Sequence, residues 1–552
     1  MKSVMSHDFS RVPSTSIPRS AFDRSHGVKT TFDSGWLVPI EIQEILPGDH
    51  VTADFNCFAR LMPAVVPVMD NVFLDIQAFY CPSRLLWTNF VKMMGERVNP
   101  NDSIDYLCPT ISSGDAGFAI GSLADYFGIP TGVKNLSVNA LPFRMYSKVF
   151  DDWYRDENLQ NSIIQTSEDL GDGNPNNINW NTLRRRGKRH DYFTSCLPWP
   201  QKGEGVELSI GESAPVYGDG GRIWSTEWSS AMGNGAYQYD KRGYVVTADG
   251  NSGTLVAHGD EVIGKQIRAY PTKEMVDYAK SQPASVSYFN SSGLYADLTN
   301  ATAATINSLR MAFQLQKLLE RDARSGTRFC EILRGHFGTI CPDARLQRSE
   351  YLGGSSTPIL FNPIAQTSGT MSEGTPQGNL VSNPKVFGTL HIDKAFTEHG
   401  YLLVLANVRC DLNYQQGLNR MWSRRGRYDF FWPVLQNIGE QAVLNKEIFA
   451  QGTPADDEVF GYQERFAEYR YNPSIVTGKL RSTATDTLDV WHLAQKFNSL
   501  PTLSPEFIED TPPLKRILAV TDEPEIIMDC YHKQIWSRPM GTYSIPGLID
   551  HL

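Results

Sequence analysis

"NVFLDIQAFYCP" occupies residues 71–82, and its reading decides what kind of protein this is. Val72, Leu74, Ile76 and Ala78 alternate onto one face of an extended chain, while Phe73 and Phe79 lie on the other. A strand with one wet face alternates apolar with polar. Apolar residues on both faces predict a strand covered on both sides. The flanking sequence extends the pattern. "WLVPIEIQEILPGD" (36–49) ends in a Pro-Gly-Asp turn and "VTADFNCFARL" (51–61) follows, which predicts two strands and a turn. "GYLLVLANVRCDL" (400–412) and "PEIIMDCYHKQIWSRP" (524–539) read as further strands. Two helices are predicted among them. One covers 141–159, with Pro142 in its first turn and apolar residues at Phe143, Tyr146, Val149, Phe150 and Trp153; the other covers 303–324, with Gly326 as its stop.

Composition fits that texture. The chain has 552 residues, 41% hydrophobic and 20% charged, so a large core is affordable; 11% aromatics with 44 Gly and 32 Pro lean towards strands and turns. A formal net charge of −10 argues against a protein that coats DNA with its whole surface, and permits local basic patches. Eight cysteines at 57, 81, 108, 196, 330, 341, 410 and 530 have no CxxC spacing, which predicts buried thiols in a reducing compartment. "MKSVMSHDFSRVPSTS" lacks the apolar segment of a secretory signal, and the longest aliphatic run, 401–408, is too short for a membrane helix. A soluble protein made inside the cell, without membrane insertion, is expected.

Four regions follow along the chain. Residues 1–34 form a basic N-terminal arm, with Arg11, Arg19, Arg24 and Lys29 and too few aliphatics to fold alone. Residues 35–202 are the first part of the core. Residues 203–293 hold 14 of the 44 glycines with many Ser, Tyr and Asn, and read as an inserted, loop-rich β excursion. Residues 294–552 complete the core and include 353–385, nearly uncharged and predicted as a long ordered surface loop.

Catalytic motifs fail on inspection. "GDEVIGKQ" (259–266) approaches a phosphate-binding loop, but Gln266 replaces the magnesium-binding hydroxyl, and Asp260 and Glu261 would repel phosphate. "DGNPNN" (172–177) lacks the Gly and Glu of a calcium loop, at Asn177 and Leu183. In "DDWYRDE" (151–157), Asp151 can pair with Arg155 and Asp152 with Lys148, which predicts a solvated helix face rather than acid–base chemistry. No catalytic residue, cofactor site or metal site is expected.

What stands out is basic residues beside aromatic rings. "LRRRGKRHDYFTSCLPWPQKG" (183–203) sets Arg184, Arg185, Arg186, Lys188 and Arg189 before Tyr192, Phe193 and Trp199. "NRMWSRRGRYDFFWP" (419–433) sets Arg420, Arg424, Arg425 and Arg427 among Trp422, Tyr428, Phe430, Phe431 and Trp432, and "YQERFAEYRYNP" (462–473) repeats the mixture. Arginine neutralises phosphate and aromatic faces stack on bases, which suits single-stranded nucleic acid. The same residues are enriched at protein–protein contacts, and on residue physics alone that reading carries more weight.

Five blocks then make the chain recognisable: "SHDFSRVPSTSIPRSAFDRSHGVKTTFDSGWLVPI", "EILPGDH", "LPFRMYSKVFDDWYRDENLQ", "RGKRHDYFTSCLPWPQKG" and "FGYQERFAEYRYNPSIVTGKLRS". With "EIIMDCYHKQIWSRPM" near the end, they resemble, over essentially the whole chain, the major capsid protein of gokushoviruses, single-stranded-DNA bacteriophages of the Microviridae. The resemblance implies a mainly β fold, an eight-stranded antiparallel jelly roll (a viral capsid β-sandwich) with long loop insertions and a few helices. It also implies a T=1 icosahedral shell of identical copies around circular single-stranded DNA, in the virion and assembled in the host bacterial cytoplasm. Implied partners are a small basic internal DNA-binding protein, scaffolding and minor (pilot) virion proteins, and a host surface receptor.

Under that resemblance the 203–293 insertion becomes a threefold surface protrusion for host attachment, with Trp224, Trp228, Tyr237 and Tyr239 as its candidate host-facing residues. Arg11, Arg19, Arg24, Arg184, Arg185, Arg186, Lys188, Arg189, Arg424, Arg425 and Arg427 become candidates for contact with DNA or a neighbouring subunit. The competing expectation is a β-sandwich carbohydrate-binding protein or glycan-active enzyme using Trp224 and Trp228, although both fit packing within the insertion.

Overall fold

A computed structural model describes residues 17–163, 180–206, 306–340, 347–367 and 377–543, with seven short strands between 216 and 296. The Pro-Gly-Asp turn closes as expected, Gly48 taking φ +89°, a conformation that favours glycine. It joins β3 (Val38–Ile45) to β4 (His50–Leu61); before them come β1 (Ser20–Asp23) and β2 (His26–Phe32), and after them β5 (Val72–Pro82). The helices α1 (Leu141–Trp153), α2 (Ile306–Ser325) and α3 (Phe329–Phe337) precede β6 (Glu350–Pro358), β7 (Leu360–Ala365), β8 (Leu380–Ala395), β9 (Gly400–Cys410) and β10 (Ile526–Arg538).

All pairings among these strands are antiparallel. One sheet runs β7-β8-β4-β10, with β1 and β2 both on the free side of β10; the other runs β6-β5-β9-β3. Inward residues of both sheets form one core, including Phe55 and Cys57 of β4, Leu74 and Ile76 of β5, Val404 and Ala406 of β9, and Met528 and Trp536 of β10. This is the eight-stranded capsid-type sandwich, with β1 and β2 as added edge pieces. Gly388 of β8 sets the sheet separation locally: a Cβ there would lie 3.0 Å from Ile76 Cδ1 and 3.2 Å from Leu74 Cδ2.

The two-faced reading of 71–82 holds. Val72, Leu74, Ile76, Ala78 and Tyr80 face the sandwich core, whereas Phe79 and Cys81 join a second core beneath α1, with Leu403 and Leu405 of β9 and with Phe143, Tyr146, Val149 and Phe150 of α1. Helix α1 therefore covers the back of this sheet, so β9 is buried throughout and β5 everywhere but at Phe73 and Gln77. The Lys148–Asp152 and Arg155–Asp151 pairs form at 3.1 and 3.4 Å. They are not a solvated face: both aspartates are buried, Asp152 accepting from Ser349 N and Oγ at 2.9 Å each.

Two expectations change. Residues 353–385 are not a surface loop: they supply most of β6, all of β7 and the start of β8, while 368–376 lie outside the described residues. Their Ser, Thr, Gly and Pro content misled because β6 and β7 are edge strands, where proline and small polar residues are tolerated. The arm is not separate through residue 34 either. Residues 20–32 pair with β10 as β1 and β2, backbone bonding supplying what their side chains lack.

The chain divides into two compact units, Met1–Gly203 with Leu319–Leu552, and Glu204–Leu318. In the second, Ile223–Ser225, Tyr237–Tyr239, Tyr244–Ala248, Gly253–Ala257 and Gln266–Ala269 form an antiparallel sheet in sequence order, and Val216–Gly218 pairs with Leu294–Ala296.

Candidate subunit and nucleic-acid interface

The 183–203 tract is stitched into the first unit by its backbone. Leu37 N donates to Arg184 O at 2.9 Å, Arg186 N to Gly35 O at 2.8 Å, Asp510 N to Arg186 O at 2.8 Å and Lys188 N to Ile508 O at 2.7 Å. Its side chains follow. Arg185 lies 4.1 Å over the Trp36 ring; Arg186 pairs with Asp75 of β5, and its Nη1 is 3.3 Å from Asn407 Oδ1 of β9. Arg409 Nε holds the same Asp75 oxygen at 2.8 Å. Burial works to raise the Asp75 carboxyl, and the Arg186 charge with bonds from Ser356, Arg409 and Arg186 outweighs it, leaving it below the usual range.

Lys188 is 8% exposed; its Nζ donates to Phe507 O at 2.6 Å, and burial pushes it down to about 8. Burial likewise pushes Asp510 up to about 6, against the pull of Lys188 and Arg186. Tyr192 and Phe193 sit in a third core with Tyr414, Phe460 and Phe507, and the Tyr192 hydroxyl donates to Glu447 Oε2 at 2.8 Å. Arg186 and Lys188, expected at DNA or a neighbour, are thus held inside the chain. Arg189 is exposed and Arg184 partly so.

The 419–438 tract behaves in the opposite way. Two arginines anchor it: Arg420 Nη1 meets Glu447 Oε1 at 3.0 Å, and Arg424 Nη2 meets Glu468 Oε1 at 3.1 Å while its guanidinium lies 4.3 Å over Tyr469. Above these anchors the apolar side chains face outward. Trp422 is 70% and Val434 89% exposed, with Met421, Tyr428, Phe430 and Ile438 more than half exposed. Arg425 and Arg427 are exposed among them, Arg427 stacked 5.0 Å over Trp432. Asp429 shapes the loop by accepting from Arg425 N and Gly426 N at 2.8 and 2.7 Å, bonds that also lower its pKa. Exposed apolar side chains gathered in one tract are uncommon on a protein that stays alone in water.

The remaining candidates are dispersed. Arg19 is exposed and donates to Gly48 O; Arg24 is held by Gln43 Oε1 at 2.5 Å and stacks 4.5 Å over Trp536, so it too is bound internally. Trp224 pairs in register with Gln238 between Tyr237 and Tyr239. Arg11, Trp228 and the near-motifs at 172–177 and 259–265 lie outside the described residues. No helix among the described residues is long and apolar enough to cross a membrane.

Sequence reading missed one buried polar cluster. Glu41 enters the sandwich core from β3, where a bulge after the Val404–Glu41 pair shifts the register to Leu405–Pro39. His532 Nδ1 bonds Glu41 Oε2, and His26 Nε2 meets the same oxygen at 3.0 Å. Burial works to raise the Glu41 carboxyl, but the two histidines hold it at about 2. Burial works to lower His532, yet bonds to Cys530 and Glu41 lift it to about 9. Cys57 and Cys530, cross-strand partners on β4 and β10, complete the cluster. The visible signal was Cys530 and His532 two residues apart in a strand; their partners lie far away in sequence.

The comparisons with known proteins agree with one another. The sequence model of the phage capsid protein (F protein) family matches residues 10–548. The chain is 46% identical over 546 residues to capsid protein VP1 of Bdellovibrio phage phiMH2K, covering 98% of this chain and 97% of that one. It is 41% identical over 595 residues to capsid protein VP1 of Chlamydia phage 1 (99% and 98%), and 37% over 563 residues to capsid protein VP1 of Spiroplasma virus 4 (98% and 97%).

Proposed function

The chain belongs to the phage capsid protein (F protein) family, as a major capsid protein of the Microviridae type, and from that premise we propose that it builds a T=1 shell around circular single-stranded DNA. Its role is structural and its place is the virion. The observation that carries the assembly reading is the exposed aromatic face of 419–438, with Trp422 and Val434 at its most exposed points. Such a face is costly in water, and well-packed aromatic anchors are what dominate the energy of subunit contacts.

Among the described candidates, Arg19, Arg184, Arg189, Arg425 and Arg427 remain at the surface or partly so, and these are the ones we assign to DNA phosphates or a neighbouring copy. With a net charge of −10, the chain leaves much of the genome's charge to a small basic internal protein. Scaffolding and pilot proteins would act during assembly in the host cytoplasm, and the 203–293 insertion, with Trp224, Trp228, Tyr237 and Tyr239, would meet the host receptor.

Electron microscopy of the purified chain and of virions tests this directly. Uniform icosahedral shells of sixty copies, the number a T=1 lattice requires, are expected, about the same in number when 203–293 is deleted, while attachment to host cells is lost. Monomers or open sheets at all concentrations would overturn the assembly reading, and undiminished attachment would overturn the role of the insertion.

A further inference from the structure

The Cys57–Cys530–His532 cluster belongs neither to the aromatic face nor to the basic tracts. The Sγ atoms of Cys57 and Cys530 and a ring nitrogen of His532 all lie within 4.8 Å of one another, and each of the three residues is at most 1% exposed. The strands dictate this. Cys57 and Cys530 are direct partners across β4 and β10, and His532, two residues further along β10, turns to the same inward face. His532 Nδ1 is committed to Glu41, and the buried Nε2 makes no hydrogen bond of regular geometry, the Cys530 thiol being the polar side chain that bonds to the ring besides Glu41. A buried imidazole nitrogen that finds no better partner than a thiol, a weak hydrogen-bonding group, is poorly satisfied in a dry core, so its retention needs a reason.

We propose that Cys57, Cys530 and His532 form a binding site for one thiophilic cation, zinc or copper(I), inside the capsid sandwich. Three features converge on this chemistry. Two thiolates and an imidazole are the soft donor set these ions select. Glu41 holds the far nitrogen of the histidine, the arrangement that fixes the tautomer of metal-binding imidazoles and raises their basicity. With zinc the charge also balances, two thiolates neutralising the divalent ion, and with copper(I) it balances when one of the two thiols keeps its proton; Glu41 is paired with His26, so little net charge is left in the core. On binding zinc, each thiol releases one proton and a charged His532 releases its Nε2 proton; no electron is transferred. The ion ties β4 to β10, and through His532 and Glu41 to β3 of the opposite sheet, so its work would be to staple the sandwich.

Elemental mass spectrometry on particles, purified without chelator from cells supplied with zinc and copper, tests the proposal. About one zinc or copper per chain is expected, and which element appears decides between the two ions. Cys57→Ala, Cys530→Ala and His532→Gln should each drop the content at least tenfold, while Glu41→Gln should weaken binding by roughly ten- to a hundredfold. If a variant fails to assemble, reconstitution of the wild-type full-length chain with cobalt(II) gives a second readout: thiolate-to-cobalt absorption in the near ultraviolet, suppressed by prior alkylation of the unfolded chain. Less than a tenth of an equivalent of metal in wild-type particles, with no cobalt band, would overturn the proposal. So would a Cys57–Cys530 disulfide recovered from virions, or retention of metal in all three ligand variants.

Discussion

The tracts 183–203 and 419–438 are built from the same residues, arginines beside aromatic rings, and the fold sends them to opposite places. In the first, Arg186 and Lys188 are buried against Asp75 and the Phe507 carbonyl, and Tyr192 and Phe193 lie in a core. In the second, Arg420 and Arg424 serve as anchors on Glu447 and Glu468 so that Trp422, Tyr428 and Phe430 can face outward. What separates them is which partners the topology delivers. A carboxylate on β5 and carbonyls at 507–510 wait for the first tract, while buried glutamates beneath the second hold Arg420 and Arg424 and leave Trp422 and Tyr428 facing outward. In this chain arginine therefore joins strands in one tract and anchors an outward face in the other.

The sharpest test of the buried half is Asp75→Ala. It leaves the Arg186 and Arg409 guanidiniums, 15% and 5% exposed, without their shared counter-charge. Removing one partner of a buried ion pair destabilises by about 3–5 kcal/mol. Urea unfolding of the unassembled chain should show a loss of that order; a loss under about 1 kcal/mol would mean that the tract is not a seam.

A smaller effect, with a pH signature, comes from Asp510. Its carboxyl is raised from 3.8 to about 6 in the folded chain, so the fold holds that proton more tightly than the unfolded chain does. The stability this contributes is complete below pH 3.8 and is lost as pH rises through about 6. Lys188, lowered from 10.5 to about 8, works the other way: its contribution is present above pH 10.5 and lost as pH falls through 8. Asp510→Asn should therefore gain on the wild type between pH 4 and 7 by up to about 3 kcal/mol. Urea midpoints of the two chains at those pH values check it, and a difference that does not change with pH would sink the prediction.

How much of this was legible in the sequence depends on how local the cause is. The strand at 71–82, the turn at Gly48 and the helix stop at Gly326, which takes φ +98°, were readable because a few adjacent residues determine them. The strands in 353–385 were not, since edge strands carry little apolar signal and owe their conformation to pairing with β5 and β8. The fate of each arginine was the least legible. Nothing near residue 186 announces Asp75, just as nothing near Cys530 announces Cys57. The Lys148–Asp152 and Asp151–Arg155 pairs could be written down from spacing, whereas the burial of Asp152 against Ser349 could not.

The smallest expected effect on the chain itself is the one that most sharpens the comparison. Trp422→Ser and Val434→Ser remove side chains that touch mainly solvent, so unfolding of the unassembled chain should shift by no more than about 0.5 kcal/mol. Assembly should respond very differently. An anchor truncated at an interface typically weakens the contact by about 2 kcal/mol or more, and a closed shell repeats that contact in every copy. A chain with unchanged urea midpoint that no longer forms shells by light scattering or electron microscopy is the expected result. Shells in normal yield would show that the face meets something other than a neighbouring subunit. A lowered midpoint would show that the rings are packed within the chain, and the contrast between the two tracts would then collapse into a single buried use of the same residues.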